Sequence, residues 1–243
     1  MEEDNKIYSI DKPKASHSVD SRAAQSDTVC HSVDELDLKN NTFILLASKR
    51  ASGKTVLIKN IVKNLFEKFT FQAIIIFSET SKFNGDYDYI PPNCHFRFNK
   101  IDKLDKILNY QKKKIKKNKN VDSILIIFDD IPLSKKWTFL NDLWTQGRHY
   151  KLTIILWTQY INSYLSWSTI RNNIDYCFFS DIGIPQQESI YNIIAWDKNK
   201  KEFISYVMNN NNDYQFIFYN WREPNRKNRL KICKGIIFDL QFK

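Results

Sequence analysis

Hydrophobic runs of five or six consecutive positions recur along the chain from Asn41 onward and alternate with amphipathic segments. Consecutive apolar positions are typical of strands covered on both faces, and apolar spacings of three and four are typical of helices. Strands are predicted at residues 42–47, 73–77, 124–128, 153–157, 176–179 and 214–219. Helices are predicted at residues 55–69, 101–115 and 135–146, and between Pro185 and Val207. The alternation predicts an α/β fold with a mostly parallel sheet flanked by helices.

The first 38 residues show neither period and are rich in Ser, Asp and Lys, which predicts a flexible N-terminal tail over residues 1–38. Residues 39–243 are expected to form one domain, with core motifs in 41–180 and a C-terminal extension in 181–243. The apolar runs are too short to cross a bilayer, and the N-terminus is not organised as a signal peptide. We therefore expect a cytoplasm-like compartment and no membrane partner.

The net charge of +10 is unevenly distributed, with −4 on residues 1–40 and +14 on the remainder. A strongly basic body indicates a polyanionic partner, because lysine and arginine near phosphates release condensed counterions. The candidate contacts are the runs Lys112, Lys113, Lys114, Lys116, Lys117 and Arg222, Arg226, Lys227, Arg229. A charge run is also common on a solvated face, so that alternative stays open for each lysine.

A phosphate-binding loop is predicted between the first strand and the first helix. Its sequence, Ser48-Lys49-Arg50-Ala51-Ser52-Gly53-Lys54-Thr55, matches GxxxxGK[ST] except that Ser48 replaces the first glycine. Gly53 lets the backbone turn its N–H groups toward phosphate, Lys54 reaches the β- and γ-phosphates, and the Thr55 hydroxyl can bind Mg²⁺. The sequence therefore predicts an ATP and Mg²⁺ site, against the alternative of a chance GKT tripeptide in a loop.

Two further strands end in polar side chains that suit the same chemistry. The run at 124–128 is followed by Asp129 and Asp130, as in a Walker B motif, although Asp-Asp-Ile-Pro is also turn-like. Asp129 would hold Mg²⁺, and Asp130 would act as general base toward the attacking water. Gln159 follows the strand at 153–157 and could sense the γ-phosphate, or could simply face solvent.

These elements, in this order, resemble the FtsK–HerA superfamily, and within it the packaging ATPases of large DNA viruses and their virophage relatives. The resemblance extends over residues 41–179 and continues more weakly to the C-terminus. Two departures are Ser48 in the phosphate loop and Asp130 where many members carry glutamate. The resembling segments are Lys49 to Thr55, Ile126 to Asp130, Gly147-Arg148-His149, Ile154 to Gln159 and Ile170-Arg171-Asn172-Asn173.

The resemblance implies a P-loop NTPase with a RecA/FtsK-like core that works as a homo-oligomeric ring, hexameric or pentameric. Such a ring would hydrolyse ATP at subunit interfaces and pump double-stranded DNA, irrespective of sequence, into a preformed capsid. A viral capsid or portal-vertex protein would be its partner, and the host cytoplasm, a viral factory or the virion its location. The family's trans-acting arginine would be Arg148, with Arg171 as the second candidate; either could instead be a surface or structural arginine.

Other functions remain open on the sequence alone. A nucleotide or nucleoside kinase would carry an arginine-rich lid and would not need Gln159. A conjugation or plasmid-mobilisation coupling ATPase would have the same core but often has membrane helices. A non-hydrolysing nucleotide switch is favoured only by Ser48 and opposed by Lys54, Thr55, Asp129, Asp130 and Gln159.

Overall fold

The computed structural model describes residues 29–30, 32–83, 85–130, 139–159, 161, 172–180, 182–194, 199–210 and 214–234. The strands are β1 Val29–Cys30, β2 Phe43–Ser48, β3 Ala73–Phe77, β4 His95–Phe96, β5 Ile124–Asp129, β6 Leu152–Thr158, β7 Tyr176–Ser180, β8 Gln215–Asn220 and β9 Leu230–Lys234. The α-helices are α1 Lys54–Lys68, α2 Asp102–Lys116, α3 Phe139–Gln146, α4 Ile184–Ile194 and α5 Lys200–Asn209.

These strands form one sheet in the order β1-β9-β8-β7-β2-β6-β5-β3-β4. Strand β2 lies between β6 and β7 and runs parallel to both, and β5 runs parallel to β3 and β6. Strand β8 runs antiparallel to both β7 and β9. The predicted α/β fold with a mostly parallel sheet is confirmed.

The central strands are apolar on consecutive positions because both faces of the sheet are covered. On β2, Phe43 and Leu45 face one core, which contains Leu104 of α2 and Ile190 of α4. Ile44 and Leu46 face the second core, which is formed largely by α1. This two-sided burial fixes the register of β2, since a slip of one residue would exchange its faces.

The predicted tail boundary at residue 38 is wrong for the segment that immediately precedes the sheet. Val33, Leu36 and Leu38 are fully buried against α1. The Asn64 side-chain amide of α1 donates to the carbonyl oxygens of Val33 (2.9 Å) and Leu36 (3.2 Å). Three apolar side chains with satisfied carbonyls are enough to dock this segment, so the folded unit includes residues 32–38. The remainder of the predicted tail, 1–28 and 31, lies outside the described residues.

The other predicted elements lie within a few residues of the observed ones. The two-residue strands β1 and β4 were not predicted because they are too short to show a period, and β9 was not predicted because its two lysines interrupt its apolar residues. The predicted helix at 135–146 is observed from Phe139, and its first four positions fall outside the described residues. Within the described part of the chain, no helix is both long and apolar enough to span a bilayer.

Candidate active site

Parallel strands bring the predicted nucleotide-binding residues to one edge of the sheet, called here the carboxyl edge. The phosphate loop, residues 48–55, follows β2; Asp129 ends β5, and Gln159 follows β6. Strands β2 and β5 are separated only by β6. Carboxyl ends of parallel strands are the usual ligand site of open α/β sheets.

The backbone of the phosphate loop has the two turns that an anion-binding loop needs. Ala51 (φ 60°) and Gly53 (φ 83°) both lie in the left-handed region. Gly53 caps α1 without a side-chain hydrogen bond, so no cap side chain takes up the first N–H groups of the helix. Orphan N–H groups together with the positive end of the helix dipole form a phosphate site. Ser52 Oγ donates to the Lys49 carbonyl oxygen (2.9 Å) and braces the loop internally.

Ser48 fits the position at which the P-loop pattern has its first glycine. It is the last residue of β2 and pairs with Ser180 of β7, so its backbone is extended and needs no glycine. Its hydroxyl oxygen accepts a hydrogen bond from the indole Nε1 of Trp157 (3.3 Å). The ammonium of Lys54 lies 3.8 Å from the centre of the same indole ring. Buried Trp157 therefore supports both ends of the phosphate loop.

Asp129 is buried at the end of β5, and its carboxylate accepts a hydrogen bond from Ser78 Oγ (3.0 Å). Burial raises the pKa of Asp129, while the Ser78 hydrogen bond and the charge of Lys54 oppose that shift. The side chain of Tyr87 is buried nearby, and its pKa is raised well above the usual value by burial and then by the charge of Asp129.

Asp130 and Gln159 are in direct contact at this edge. Gln159 Nε2 donates to Asp130 Oδ2 (2.7 Å), and the backbone carbonyl oxygen of Gln159 accepts from Gln186 Nε2 (2.7 Å). Asp130 has a φ of 55°, a left-handed conformation that costs a non-glycine residue about 1 kcal/mol or more. Strain of this kind is concentrated at functional sites, and here it turns an exposed carboxylate toward the amide of Gln159.

The donor set at this edge suits Mg²⁺ held together with a nucleotide. The described residues contain no group of three or more His, Cys, Asp or Glu side chains that could hold a metal alone. Mg²⁺ typically binds one or two carboxylates together with substrate phosphates, rather than a cage of protein ligands. Asp129, a buried carboxylate at the end of β5, and Thr55, the second residue of α1, provide such a partial set.

We expect Asp129→Asn to eliminate Mg²⁺-dependent ATP hydrolysis while leaving the melting temperature unchanged or higher. Because the pKa of Asp129 is raised in the folded chain, ionisation of this side chain destabilises the fold. The stability contributed by the protonated carboxyl is fully present below the ordinary carboxyl pKa and is lost as pH rises through the raised pKa. At neutral pH the native chain is destabilised by the ionised carboxylate. Asparagine is uncharged and removes this destabilisation, and its side-chain oxygen can still accept the hydrogen bond from Ser78. Thermal melting at pH 7 checks this prediction, and a melting temperature several degrees lower would contradict it.

Arg148 lies at the opposite, amino edge of the sheet, in the turn before β6. Its guanidinium bonds to Asp175 Oδ1 (2.7 Å), and Arg222 bonds to the same oxygen (2.8 Å). The other oxygen of Asp175 accepts from the backbone N–H of Phe43 (2.8 Å). Arg148, Asp175 and Arg222 border an open depression of about 710 Å³ together with Asn172 and Trp221. Since β6 is seven residues long, Arg148 is roughly 20 Å from the phosphate loop of its own chain.

The structure thus brings together Ser48–Thr55, Asp129, Asp130 and Gln159, and separates Arg148 from them. Arg171 lies outside the described residues. Sequence reasoning did not find the contacts of Ser78, Tyr87 and Trp157 with this site. It also missed Asp175 as the partner of Arg148 and Arg222. The only signal in the sequence was the position of this acidic residue directly before an apolar strand.

Comparison with known proteins gives one family and several similar folds. The model of the family described as Poxvirus A32 protein matches residues 31–222. The genome packaging NTPase B204 from Sulfolobus turreted icosahedral virus 2, in complex with AMPPCP, is 18% identical over 81% of this chain and 99% of its own, with a TM-score of 0.56. The pCW3 conjugation coupling protein TcpA is 14% identical over 84% of this chain and 62% of its own, with a TM-score of 0.58. No curated protein sequence matches the chain.

Proposed function

Because the chain belongs to the poxvirus A32 protein family, we propose that it is an ATP-hydrolysing motor that moves double-stranded DNA into a viral capsid. The observation that carries the proposal is the meeting of the phosphate loop, Asp129, Asp130 and Gln159 at one edge of the sheet. B204, which has a similar fold, is itself a genome packaging NTPase studied with AMPPCP and ATP-gammaS.

In the proposed reaction, water attacks the γ-phosphoryl group and the bond to the β–γ bridging oxygen breaks, leaving ADP. Lys54 and the N–H groups at the start of α1 bind the phosphates, and Asp130 accepts the proton of the attacking water. Gln159, hydrogen-bonded to Asp130, orients that carboxylate and the water beside it. When bound, Mg²⁺ would neutralise phosphate charge, and Thr55 and Asp129 are the residues that would hold it.

Arg148 supports a ring as the working form, hexameric or pentameric. The guanidinium is half-exposed at the amino edge, about 20 Å from its own phosphate loop, so it can serve catalysis only at a neighbouring subunit's nucleotide. Asp175 and the Asn173 carbonyl oxygen hold it in a fixed direction. Arg171 remains the second candidate for this role.

The basic run on α2 supplies the proposed grip on DNA. Lys113, Lys116 and Lys117 are exposed, and no ion pair to them is found among the described residues. Lys114 instead pairs with Asp122 (2.7 Å), and this hydrogen bond raises its pKa. The unpaired lysines lie near the end of α2, where Gln111 bonds to the Tyr150 carbonyl oxygen at the amino edge. A motor that is indifferent to sequence should contact phosphates in this way.

The two basic clusters can be tested against each other with variants of equal charge change. In Lys116→Ala/Lys117→Ala, we expect the slope of log affinity for duplex DNA against log salt to fall by about 0.9 for each phosphate that the variant no longer neutralises. The matched control is Arg226→Ala/Lys227→Ala, which removes the same charge from the C-terminal cluster. A smaller slope in Arg226→Ala/Lys227→Ala alone would assign the DNA contact to the C-terminal cluster. Unchanged slopes in both variants would contradict a DNA contact at either cluster.

A conjugation-type coupling ATPase is the second candidate. The observation that favours it is the fold shared with TcpA. It predicts the same ATP chemistry and DNA grip with a different partner. Association of the purified chain with the viral capsid or portal-vertex protein separates the two, because only a packaging motor should bind it. The host cytoplasm, a viral factory or the virion is the location that follows from packaging.

A further inference from the structure

Tyr214 lies at the carboxyl edge of the sheet, beside the phosphate loop. It directly precedes β8, which runs antiparallel to β7 with Phe179 opposite Ile217. The start of β8 is therefore level with the end of β7, and β7 is the neighbour of β2 on the side away from β6. Tyr214 and the pair Asp129 and Gln159 thus flank the phosphate loop from opposite sides.

The ring of Tyr214 packs directly on Gly53. A Cβ atom built on Gly53 would lie 2.7 Å from Tyr214 Cδ1, closer than such atoms approach, so only glycine admits the ring here. The tyrosine is nevertheless 62% exposed, and its φ of 58° lies in the left-handed region. A bulky aromatic residue is a rare outlier in that region. The fold therefore accepts strain to hold an exposed aromatic ring against the loop.

The direction of a bound nucleotide follows from the two flanks of the loop. Asp129, Asp130 and Gln159 serve the γ-phosphate and lie on the side of β5 and β6. A triphosphate laid along the loop with its γ end toward these residues directs its nucleoside toward β7 and β8. Tyr214 is on that side and offers the exposed face of a ring.

We propose that Tyr214 stacks on the nucleobase of the bound nucleoside triphosphate and forms the base subsite. This inference rests on the proposed ATP site and adds the residue that recognises the nucleoside. Stacking uses the π-face that every base has, so Tyr214 contributes affinity more than it discriminates among bases. A purine, with its larger face, gains more from it than a pyrimidine.

The test compares the affinity of the full-length chain for ATP and for inorganic tripolyphosphate, which has the phosphates but no base. Tyr214→Ala should weaken ATP binding about 5- to 140-fold, the range for loss of one base–aromatic stack, and leave tripolyphosphate binding unchanged. Tyr214→Phe should bind ATP like the native chain, since stacking does not need the hydroxyl. Tyr110→Ala is the matched control, an exposed tyrosine on α2 beside Ala73 and Ile124 at the amino edge.

A fluorescence readout adds a signature that a purely structural role would not give. Tyr214→Trp adds one tryptophan, whose fluorescence is absent from the native chain. ATP should quench this added fluorescence, and tripolyphosphate should leave it unchanged. Equal weakening of ATP and tripolyphosphate in Tyr214→Ala would overturn the proposal, because the ring would then only support the loop. Unchanged ATP affinity would overturn it as well. Failure of the native chain to bind either ligand would instead contradict the ATP site itself.

Discussion

Replacement of Lys54 by alanine is expected to abolish ATP hydrolysis while the chain stays folded. Lys54 is the first residue of α1, and its ammonium is held 3.8 Å over the ring of Trp157, within electrostatic range of Asp129. In the proposed ATP site it is the cation that binds the β- and γ-phosphates, so its removal would take away charge stabilisation that the N–H groups alone cannot supply.

The fold should tolerate this change for a physical reason. A lysine in the first turn is opposed by the helix dipole, and alanine has the highest helix propensity. The cation–π interaction with Trp157, which alanine cannot make, is worth about 1–2 kcal/mol at a partly buried site. Phosphate release and thermal melting measure the two effects, with Lys59→Ala on the same helix as the control. Hydrolysis that persists in Lys54→Ala would exclude the phosphate loop as the catalytic site.

Arg148→Ala should lower turnover by about 10³-fold or more, as expected for a trans-acting arginine, while ATP affinity changes little. At about 20 Å, Arg148 is too far to act at its own phosphate loop, so in the proposed ring it would complete a neighbour's site. Steady-state hydrolysis and equilibrium ATP binding measure the two quantities separately. In Arg148→Ala, Asp175 keeps its ion pair with Arg222, so the fold should survive. The melting temperature of the variant checks this.

Mixing two inactive variants gives the decisive form of this experiment. Subunits with Arg148→Ala keep Lys54, and subunits with Lys54→Ala keep Arg148. An equal random mixture therefore contains complete sites at about a quarter of its interfaces, and hydrolysis should return. If the mixture stays as inactive as its parts although both variants assemble, Arg148 is a structural ion-pair residue and not a trans-acting one.

The fold was predictable where the information is local in the sequence. Runs such as Ala73–Phe77 are apolar on consecutive positions, because a strand that is covered on both faces buries every side chain. The phosphate loop was equally visible, since its chemistry needs a glycine, a lysine and a hydroxyl at fixed spacing. The family resemblance drawn from these motifs is confirmed by the match to the Poxvirus A32 protein family.

The parts that were missed depend on contacts between distant residues. Asp175 meets Arg148 and Arg222 only after β6, β7 and β8 have assembled, and Ser78 reaches Asp129 across 51 positions. Tyr214 follows a polar stretch and has no spacing signal that could tie it to Gly53. The docked segment at 33–38 was missed because its three apolar residues are too few to show a helix or strand period. Their burial depends on packing against α1, which the sequence of the segment does not reveal.

The central claim, that this chain couples ATP hydrolysis to duplex DNA, is tested most directly by one measurement. The purified chain is assayed for Mg²⁺-dependent phosphate release with and without double-stranded DNA of unrelated sequences at one fixed salt concentration, with Asp129→Ala as the inactive reference. We predict hydrolysis that rises with DNA, does so equally for every sequence, and is absent from the reference. Hydrolysis that DNA leaves unchanged, or turnover that survives in Asp129→Ala, would contradict the account.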